Sequence, residues 1–230
     1  MKLVAFGDSF VEGLIKKPIE NSIEERKKIN FVSQLLNLDN PFSTVENFGA
    51  RGSSNASIAH RVWKRAQEDT RDCFFLICWS SPYRYGHYDN HVDNYRTLDL
   101  RKEIINEKDR QFETDSFIFF IKSLLESYNI PYAQTNSFAT LENRLPIQHY
   151  INANYICADQ KRHTLFDIIA NRFNSNLDLT ANDFESNHDM FDVPASDLIA
   201  LCKHPTDQGH KKIAETLSPF LKKIIDNNAN

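Results

Sequence analysis

The sequence predicts an α/β fold of three layers (α/β/α), in which a parallel sheet carries helices on both faces. Two patterns predict it. Short apolar runs of strand length alternate along the chain with segments in which apolar residues recur at helical spacing. The run Cys73–Trp79 is apolar throughout, which is typical of a central parallel strand covered on both faces. Strands and helices in alternation imply βαβ units with right-handed crossovers, so we expect the strands to be parallel.

A chain of 230 residues with 41% hydrophobic content is large enough to bury one core. We therefore expect a single domain over residues 1–230. Two stretches, at about 83–113 and 137–200, do not follow the alternating pattern. We expect them to be insertions between the regular elements, where binding loops usually lie.

The first half of the chain contains three predicted strands and two predicted helices. Residues 3–6 form a short buried strand, and residues 44–48 form the second. A capping box at residues 22–25 begins a helix that extends to about Leu38, and Pro41 stops it. The helix before the central strand is predicted from four apolar residues at helical spacing: Ile58, Val62, Trp63 and Ala66.

The second half of the chain is less regular. Residues 83–112 form a polar, aromatic-rich excursion without a clear pattern, and residues 114–116 are predicted to cap the helix that follows. Residues 130–135 form another strand, and a helix is predicted near residues 164–173. Thr206 is the predicted N-cap of a closing amphipathic helix.

The composition argues against several classes of partner. The net charge is -4 and the isoelectric point is about 6.1, without a long run of like charge, so we expect neither nucleic acid nor a membrane surface as partner. A small or neutral molecule is the expected partner. The short apolar run at the N-terminus is too brief for a secretory signal, which predicts a cytoplasmic protein or release by another route. No pattern bears on oligomeric state.

Cysteines and histidines do not form a metal-binding pattern. The cysteines are scattered, without the spacing of metal ligands, and are predicted to be reduced: Cys73, Cys78, Cys157 and Cys202. The histidines and carboxylates do not form a close ligand set either, so neither a metal nor another cofactor is predicted. His210, in the first turn of the closing helix, is predicted to cap that helix or to lie on the surface.

A candidate nucleophile lies at the end of the first predicted strand, in Gly7-Asp8-Ser9-Phe10. Glycine, aspartate and serine are also ordinary turn residues, and a plain turn is the alternative interpretation. A serine hydroxyl is a weak nucleophile unless a histidine lies within hydrogen-bond distance to accept its proton. The segment His204-Pro205-Thr206-Asp207-Gln208-Gly209-His210 supplies such a residue in His204.

Two further segments follow strand ends and are expected at the same edge of the sheet. Gly52 lies in the turn 49–55 between a strand and a helix, where a backbone N–H can point into a cleft. In the alternative interpretation Gly49 and Gly52 only make the turn, and Ser53 or Ser54 caps the helix. The central strand ends in Ser80-Ser81-Pro82-Tyr83-Arg84, and open parallel sheets bind ligands at such carboxyl ends.

These segments resemble three sequence blocks of the SGNH or GDSL family of esterases and acyl hydrolases. The segment 7–10 resembles the first block, residues 47–52 the second, and residues 204–214 the last. The resemblance implies a flavodoxin-like α/β/α fold, with Ser9 as nucleophile, His204 as general base and the Gly52 N–H as an oxyanion donor. It covers the scaffold from end to end, but the two insertions have no block to match.

The chain departs from the family pattern at two positions. The third block usually has Gly-x-Asn-Asp, whose asparagine donates to the oxyanion, whereas this strand ends in Trp79-Ser80-Ser81-Pro82. Ser81 is the expected substitute donor, and a weakly aligned donor would make a slow enzyme. The family acid lies three residues before the histidine, a position held here by Leu201. Either a carboxylate of Asp197, Asp192 or Asp207 orients His204, or a backbone carbonyl does so in a Ser-His dyad, which we favour.

The resulting expectation is a serine esterase that cleaves a short-chain ester through a Ser9 acyl-enzyme, with the backbone of Ser9 and Gly52 and the side chain of Ser81 as oxyanion donors. Tyrosine, histidine and arginine residues in the segment 83–96 favour a carbohydrate O-acetyl ester as substrate. The predicted substrate-binding residues are Asp8, Tyr83 and Arg84.

Two alternatives remain open. One is a catalytically weak or inactive carbohydrate-binding module, which the leucine at position 201 favours. The other is a flavodoxin-like domain that cradles phosphate at the turns 7–10 and 49–55. The sequence contains neither a P-loop nor a dinucleotide-binding fingerprint, which counts against the second alternative.

Overall fold

The computed structural model describes residues 1–13, 30–81, 84–89, 94–99, 107–137, 164–170, 194–201 and 203–228. The strands are β1 (Lys2–Gly7), β2 (Thr44–Gly49), β3 (Cys73–Trp79), β4 (Arg84–Asp89), β5 (Asn94–Asp99) and β6 (Tyr132–Asn136). The helices are α1 (Ser9–Glu12), α2 (Phe31–Gln34), α3 (Asn55–Ala66), α4 (Glu107–Ser127), α5 (Leu165–Ile169) and α6 (Asp207–Asn228), and a 3-10 turn covers Leu35–Asn37. None of the helices within these ranges is long and apolar enough to cross a membrane.

The main sheet is parallel and has the strand order β2-β1-β3-β6. Alternate residues of β1 and β3 point to opposite faces, as the two-residue period of a strand requires. Leu3 and Ala5 pack on one face against α2, α5 and α6, whereas Val4 and Phe6 pack on the other against α3 and α4. The predicted three-layer α/β/α fold is confirmed.

The central strand β3 follows its prediction most closely. All its residues are buried, because helices cover both faces of the sheet at this position. The two strands 3–6 and 44–48 are also confirmed, each extended by one or two residues. The carboxyl ends of β1, β2 and β3 therefore meet at one edge, where Ser9, Gly52 and Ser80 follow them in the chain.

The segment 83–112 departs from the sequence prediction. Instead of an irregular excursion, it contains β4 and β5, which pair as an antiparallel hairpin with Arg84 opposite Asp99. A two-stranded antiparallel pair does not need apolar residues on both faces, so its sequence lacks the pattern of a buried strand.

Two helices differ from their predictions, one in its start and the other in its continuity. Helix α4 begins at Glu107, and Thr114 lies inside it, where its hydroxyl accepts a hydrogen bond from Asn55 instead of capping the helix. The predicted helix 22–38 is not continuous, because Asn30 is an extended N-cap whose side chain accepts from Ser33 N–H. The capping box at residues 22–25 lies outside the described residues.

Two predictions in the second half of the chain are confirmed, a helix cap and a short helix. Thr206 Oγ1 accepts a hydrogen bond from Gly209 N–H at 3.1 Å, which confirms it as the cap of α6. The helix predicted near residues 164–173 is present as α5, and Thr164 forms a capping box with Asp167. Each of these caps involves a residue three positions away, so such a cap can be predicted from the local sequence, as it was for Thr206.

Candidate active site

Ser9 lies immediately after β1, at the start of the short helix α1. Asp8 is the N-cap of that helix, and its carboxylate accepts a hydrogen bond from Phe10 N–H at 3.0 Å. The chain turns back so tightly that a Cβ on Gly7 would lie 2.3 Å from Val11 Cγ2. Only glycine fits there. Ser9 itself is 1% exposed and lies at the edge formed by the carboxyl ends of the strands.

His204 reaches Ser9 from the other end of the chain. Its Nε2 lies 2.8 Å from Ser9 Oγ, within hydrogen-bond distance. The loop that carries it is held at two points, because Ala200 N–H donates to the His204 carbonyl at 2.9 Å and Thr206 N–H donates to the Leu198 carbonyl at 3.0 Å. The ring of Phe10 packs against the imidazole with centroids 5.8 Å apart. The two predicted residues are thus brought together by β1 and the start of α6.

The predicted oxyanion glycine lies in a tight turn, Ala50–Ser53. Ser53 N–H donates to the Ala50 carbonyl at 3.2 Å, and Gly52 has φ +71°, in the left-handed region that favours glycine. Ala50 N–H donates to the Gly7 carbonyl at 3.2 Å, which joins the turn to the end of β1. Within the described residues, the N–H groups of Ser9 and Gly52 donate to no acceptor. Neither N–H group is therefore occupied by an acceptor from the described part of the chain.

A buried polar cluster surrounds Asp8. The fully buried carboxylate accepts a hydrogen bond from Ser80 Oγ at 2.9 Å and pairs with Arg84 Nη1 at 3.3 Å. Arg84 Nη1 also donates to Ser80 Oγ at 2.9 Å. The arginine is 20% exposed, so its charge lies at the boundary between this cluster and solvent.

Asn55 holds the end of β3 in place and was not identified from the sequence. It is buried at the first position of α3, and its side chain both accepts from Ser80 N–H at 2.8 Å and donates to the Ser80 carbonyl at 3.2 Å. Its Nδ2 also donates to Thr114 Oγ1 at 3.1 Å. An asparagine after a capping serine is an ordinary sequence feature, so no local signal indicated this role.

Arg61 is the second residue that sequence reasoning missed. From the middle of α3 it donates to the Gly7 carbonyl, to Ser53 Oγ and to Ser57 Oγ, each at 2.9 Å. Burial lowers the pKa of its guanidinium to about 10, and the negative charge of Asp8 opposes that shift. The side chain therefore remains protonated at neutral pH.

The other predicted site residues lie in different settings. The Ser81 carbonyl accepts a hydrogen bond from Arg84 N–H at 3.2 Å, whereas the hydroxyl that contacts Asp8 is that of Ser80. Ser81 as oxyanion donor stays a prediction. Tyr83 lies outside the described residues.

The three candidate acids are also dispersed. Asp197 is exposed, and its carbonyl accepts from the Thr206 hydroxyl. Asp207 is exposed in the first turn of α6. Leu201, in the family position of the acid, is 85% exposed. Asp192 lies outside the described residues.

His210 contradicts its sequence prediction. It is fully buried, its ring stacks on Phe31 with centroids 6.3 Å apart, and neither ring nitrogen has a hydrogen-bond partner among the described residues. Burial, with a smaller contribution from His204, lowers the pKa of this imidazole to about 3. The error arose because α6 packs this face against α2, a contact that the local sequence does not reveal.

Among the described residues, neither a cysteine nor a group of metal-ligating side chains contributes to the site. Cys73 and Cys78 are buried free thiols, and burial raises the pKa of Cys78 well above its ordinary value. Cys157 and Cys202 lie outside the described residues. In the described ranges there is no group of three or more histidine, cysteine, aspartate or glutamate residues that could hold a metal ion.

The fold is similar to that of the psychrotrophic esterase EstA from Pseudoalteromonas sp., in a crystal structure inhibited by monoethylphosphonate. The match covers 98% of this chain and 98% of that chain, with a TM-score of 0.50 and 12% sequence identity. A member of the lipolytic protein G-D-S-L family from Veillonella parvula matches with 11% sequence identity and a TM-score of 0.44, over 94% of this chain and 96% of that chain. TesA matches with 14% sequence identity and a TM-score of 0.46, over 97% of this chain and 99% of that chain. No protein-family model and no curated protein matches the chain. At these identities the likeness establishes the fold.

Proposed function

We propose that this chain is a serine ester hydrolase in which Ser9 is the nucleophile and His204 the general base. The observation that carries the proposal is the distance of 2.8 Å between Ser9 Oγ and His204 Nε2. A histidine at this distance can accept the hydroxyl proton as the oxygen attacks a carbonyl carbon. The α/β/α fold that the chain has in common with a solved esterase gives further support.

The reaction proceeds in two halves. His204 takes the proton of Ser9 as Ser9 Oγ forms a bond to the ester carbonyl carbon, and the electron pair of the C=O bond moves to the oxygen. When the tetrahedral intermediate collapses, the C–O bond to the alcohol breaks and His204 returns the proton to the leaving alcohol. Water then gives a proton to His204 as it attacks the acyl carbonyl carbon. When this second intermediate collapses, the bond between that carbon and Ser9 Oγ breaks, His204 returns the proton to Ser9 Oγ, and the carboxylic acid leaves.

The oxyanion is stabilised by backbone donors. The N–H groups of Ser9 and Gly52 are the two proposed donors, and each has no other acceptor within the described residues. The hydroxyl of Ser81 is the proposed third donor, in place of the family asparagine. Loss of one such donor typically lowers the rate by about 10²- to 10³-fold.

The proposed substrate is a short-chain ester, with O-acetyl groups on a carbohydrate as the leading class. Ser9 is 1% exposed, which favours a small acyl group over a long chain. Arg84 is the proposed contact for a polar or anionic group of the substrate, together with Asp8 and Tyr83. A guanidinium held by a buried carboxylate presents a rotationally fixed donor, and fixed donors favour one orientation of a ligand.

Hydrolysis of a chromogenic acetate ester tests the proposal. The purified parent is compared with Ser9→Ala, His204→Ala and a control, Ser43→Ala, which changes an exposed serine before β2. We expect turnover by the parent and the control, and a loss of at least about 10³-fold in both site variants. The same assay with a butyrate ester and an acetylated sugar then ranks the substrates. A parent rate equal to that of Ser9→Ala would overturn the proposal.

The same assay identifies the group that orients His204. Asp192, Asp197 and Asp207 are each changed to Asn. One variant with a loss of about 10⁴-fold would identify a relocated acid, because an amide in that position favours the wrong imidazole tautomer. Three active variants would support the dyad, in which a backbone carbonyl accepts from the imidazole.

A further inference from the structure

Two charged side chains connect the turn Ala50–Ser53 to the residues that flank Ser9 in the chain, and the mechanism above assigns neither of them a role. They are Arg61, from the middle of α3, and Glu12, from the end of α1. We propose that Arg61 is a positioning residue which, together with Glu12, fixes the Gly52 N–H as an oxyanion donor. This inference rests on the proposed function.

Arg61 connects the strand of the nucleophile to the turn of the oxyanion donor. A single nitrogen, Nη2, donates both to the Gly7 carbonyl and to Ser53 Oγ, each at 2.9 Å. Gly7 lies two residues before Ser9, and Ser53 lies one residue after Gly52. Nη1 donates to Ser57 Oγ one turn earlier on the same helix, which fixes the plane of the guanidinium. The distance between the nucleophile and the donor therefore depends on this side chain.

Glu12 fixes the same turn from the opposite side. Its Oε2 accepts a hydrogen bond from Arg51 N–H, and the side chain is almost fully buried three residues after Ser9. A Cβ on Gly49 would lie 2.3 Å from Glu12 N, so α1 and the end of β2 are in close contact. The turn thus touches the nucleophile's helix directly.

The contacts leave one N–H of the turn without an acceptor among the described residues. Ala50 N–H donates to Gly7, Arg51 N–H to Glu12, and Ser53 N–H to the Ala50 carbonyl. Gly52 N–H is the remaining donor. Since the other three are occupied, the turn cannot rotate to offer a different N–H to the cleft without breaking several hydrogen bonds.

The energetics favour a functional reason for the arginine. Burial lowers its pKa to about 10, and its Nε has no hydrogen-bond partner. Replacement of buried charged groups by apolar side chains of similar volume is often neutral or stabilising, so folding alone does not call for an arginine here. Lysine is not equivalent, since its single ammonium lacks the planar fork that holds Gly7, Ser53 and Ser57 in a fixed relation.

The test uses the full chain with Arg61→Lys and Arg61→Met. Kinetics with the chromogenic acetate ester are measured beside the rate at which a nitrophenyl phosphonate modifies Ser9, followed by mass spectrometry. In that reaction a bond forms between Ser9 Oγ and phosphorus, the bond to nitrophenolate breaks, and the serine proton passes to His204. The phosphonyl oxygen then occupies the oxyanion position. The rate of phosphonylation therefore depends on the oxyanion donors and does not include hydrolysis of an acyl-enzyme.

We expect both variants to lower kcat by about 10²-fold with little change in KM, since displacement of a catalytic group by about 1 Å has that effect. The rate of phosphonylation is expected to fall by a similar factor. Arg65→Lys is the matched control: Arg65 lies on the same helix, is 6% exposed and pairs with Glu46 at 2.9 Å, away from the turn. It is expected to lower the melting temperature and to leave kcat unchanged.

Each outcome decides the matter. If Arg61→Lys keeps the parent kcat and phosphonylation rate, the positioning role is overturned, and a fall in melting temperature alone would indicate a structural role. Should the Arg61 variants fail to fold, Ser53→Ala removes the acceptor of Arg61 in the turn, together with the hydrogen bond from the serine hydroxyl to the Ala50 carbonyl, and is expected to lower kcat without changing KM. A Ser53→Ala variant with unchanged kcat would then overturn the inference. A parent without Ser9-dependent turnover and phosphonylation would overturn the proposed function as well.

Discussion

His210 makes the stability of this protein depend on pH in a way that a single substitution can isolate. The imidazole is fully buried between α6 and α2, without a hydrogen-bond partner for either nitrogen. Burial favours its neutral form, which lowers its pKa from 6.5 to about 3 in the folded state. In the unfolded chain the ring is solvated and titrates near its ordinary pKa.

The sign and size of the effect follow from these two pKa values. Above pH 6.5 the ring is neutral in both states and contributes nothing to the pH dependence. As the pH falls below 6.5, the unfolded state binds a proton that the folded state refuses, so stability is lost until the pH reaches about 3. At about 1.4 kcal/mol per pKa unit, the loss attributable to His210 is about 2 kcal/mol between pH 7 and pH 5, and about 5 kcal/mol in full.

Urea denaturation at pH 7 and pH 5 measures this loss. Carboxylates also titrate over part of this range, so the quantity of interest is the difference between the parent and His210→Gln. Between the two pH values, we expect the free energy of unfolding of the variant to fall by about 2 kcal/mol less than that of the parent. Phe31→Leu is the control, because it disturbs the same packing without removing a titrating group, and it is expected to keep the parent's pH dependence. Equal losses in the parent and His210→Gln would refute the reasoning.

Three further substitutions test the packing around the site. Gly49→Ala places a Cβ 2.3 Å from the Glu12 backbone nitrogen and is expected to abolish soluble folding, so a folded variant of parent stability would contradict the close contact. Gly52→Ala meets open space but must hold φ +71°, so we expect a loss of about 1–2 kcal/mol in urea denaturation; no loss would contradict the turn geometry. Ser80→Ala removes the hydroxyl between Asp8 and Arg84 and is expected to cost about 1–3 kcal/mol, whereas unchanged stability would mean that solvent replaces it.

Gly49, at the end of β2, and Gly52, in the turn that follows, are each required for a different physical reason. Gly49 is required by the space that α1 leaves, and Gly52 by the backbone angle of the turn. The sequence marks both as turn residues and does not tell these reasons apart. The distinction matters for engineering, since a residue that tolerates positive φ, such as asparagine, is acceptable only at position 52.

The features predicted from the sequence are those that nearby residues determine. The strands β1, β2 and β3 follow from runs of apolar residues, and the Thr206 cap follows from an amide three positions away. The pairing of Ser9 with His204 was predicted by a different route, from the need of a serine nucleophile for a histidine and from the resemblance of two distant blocks to one family. No local pattern joins residues that are 195 positions apart.

Two of the errors share one physical cause, which is a partner distant in the chain. Thr114 has the residue type of a cap, but Asn55 supplies its hydrogen bond from 59 positions away, and α4 begins earlier. His210 is a polar residue of a type expected at the surface, but the packing of α6 on α2 buries it. Propensity describes what a residue does among its neighbours, and tertiary contacts override it.

By itself the sequence determined the α/β class, the strands β1, β2 and β3 of the main sheet, and the choice of Ser9 and His204 as candidate site residues. Only the tertiary structure decided which polar groups surround them: Ser80 beside Asp8, and Arg61 between Gly7 and Ser53. The reason is that secondary structure depends on periodicity over about ten residues, which can be read along the chain. Hydrogen bonds at the edge of a parallel sheet join residues from separate strands and helices, and folding alone brings them within reach.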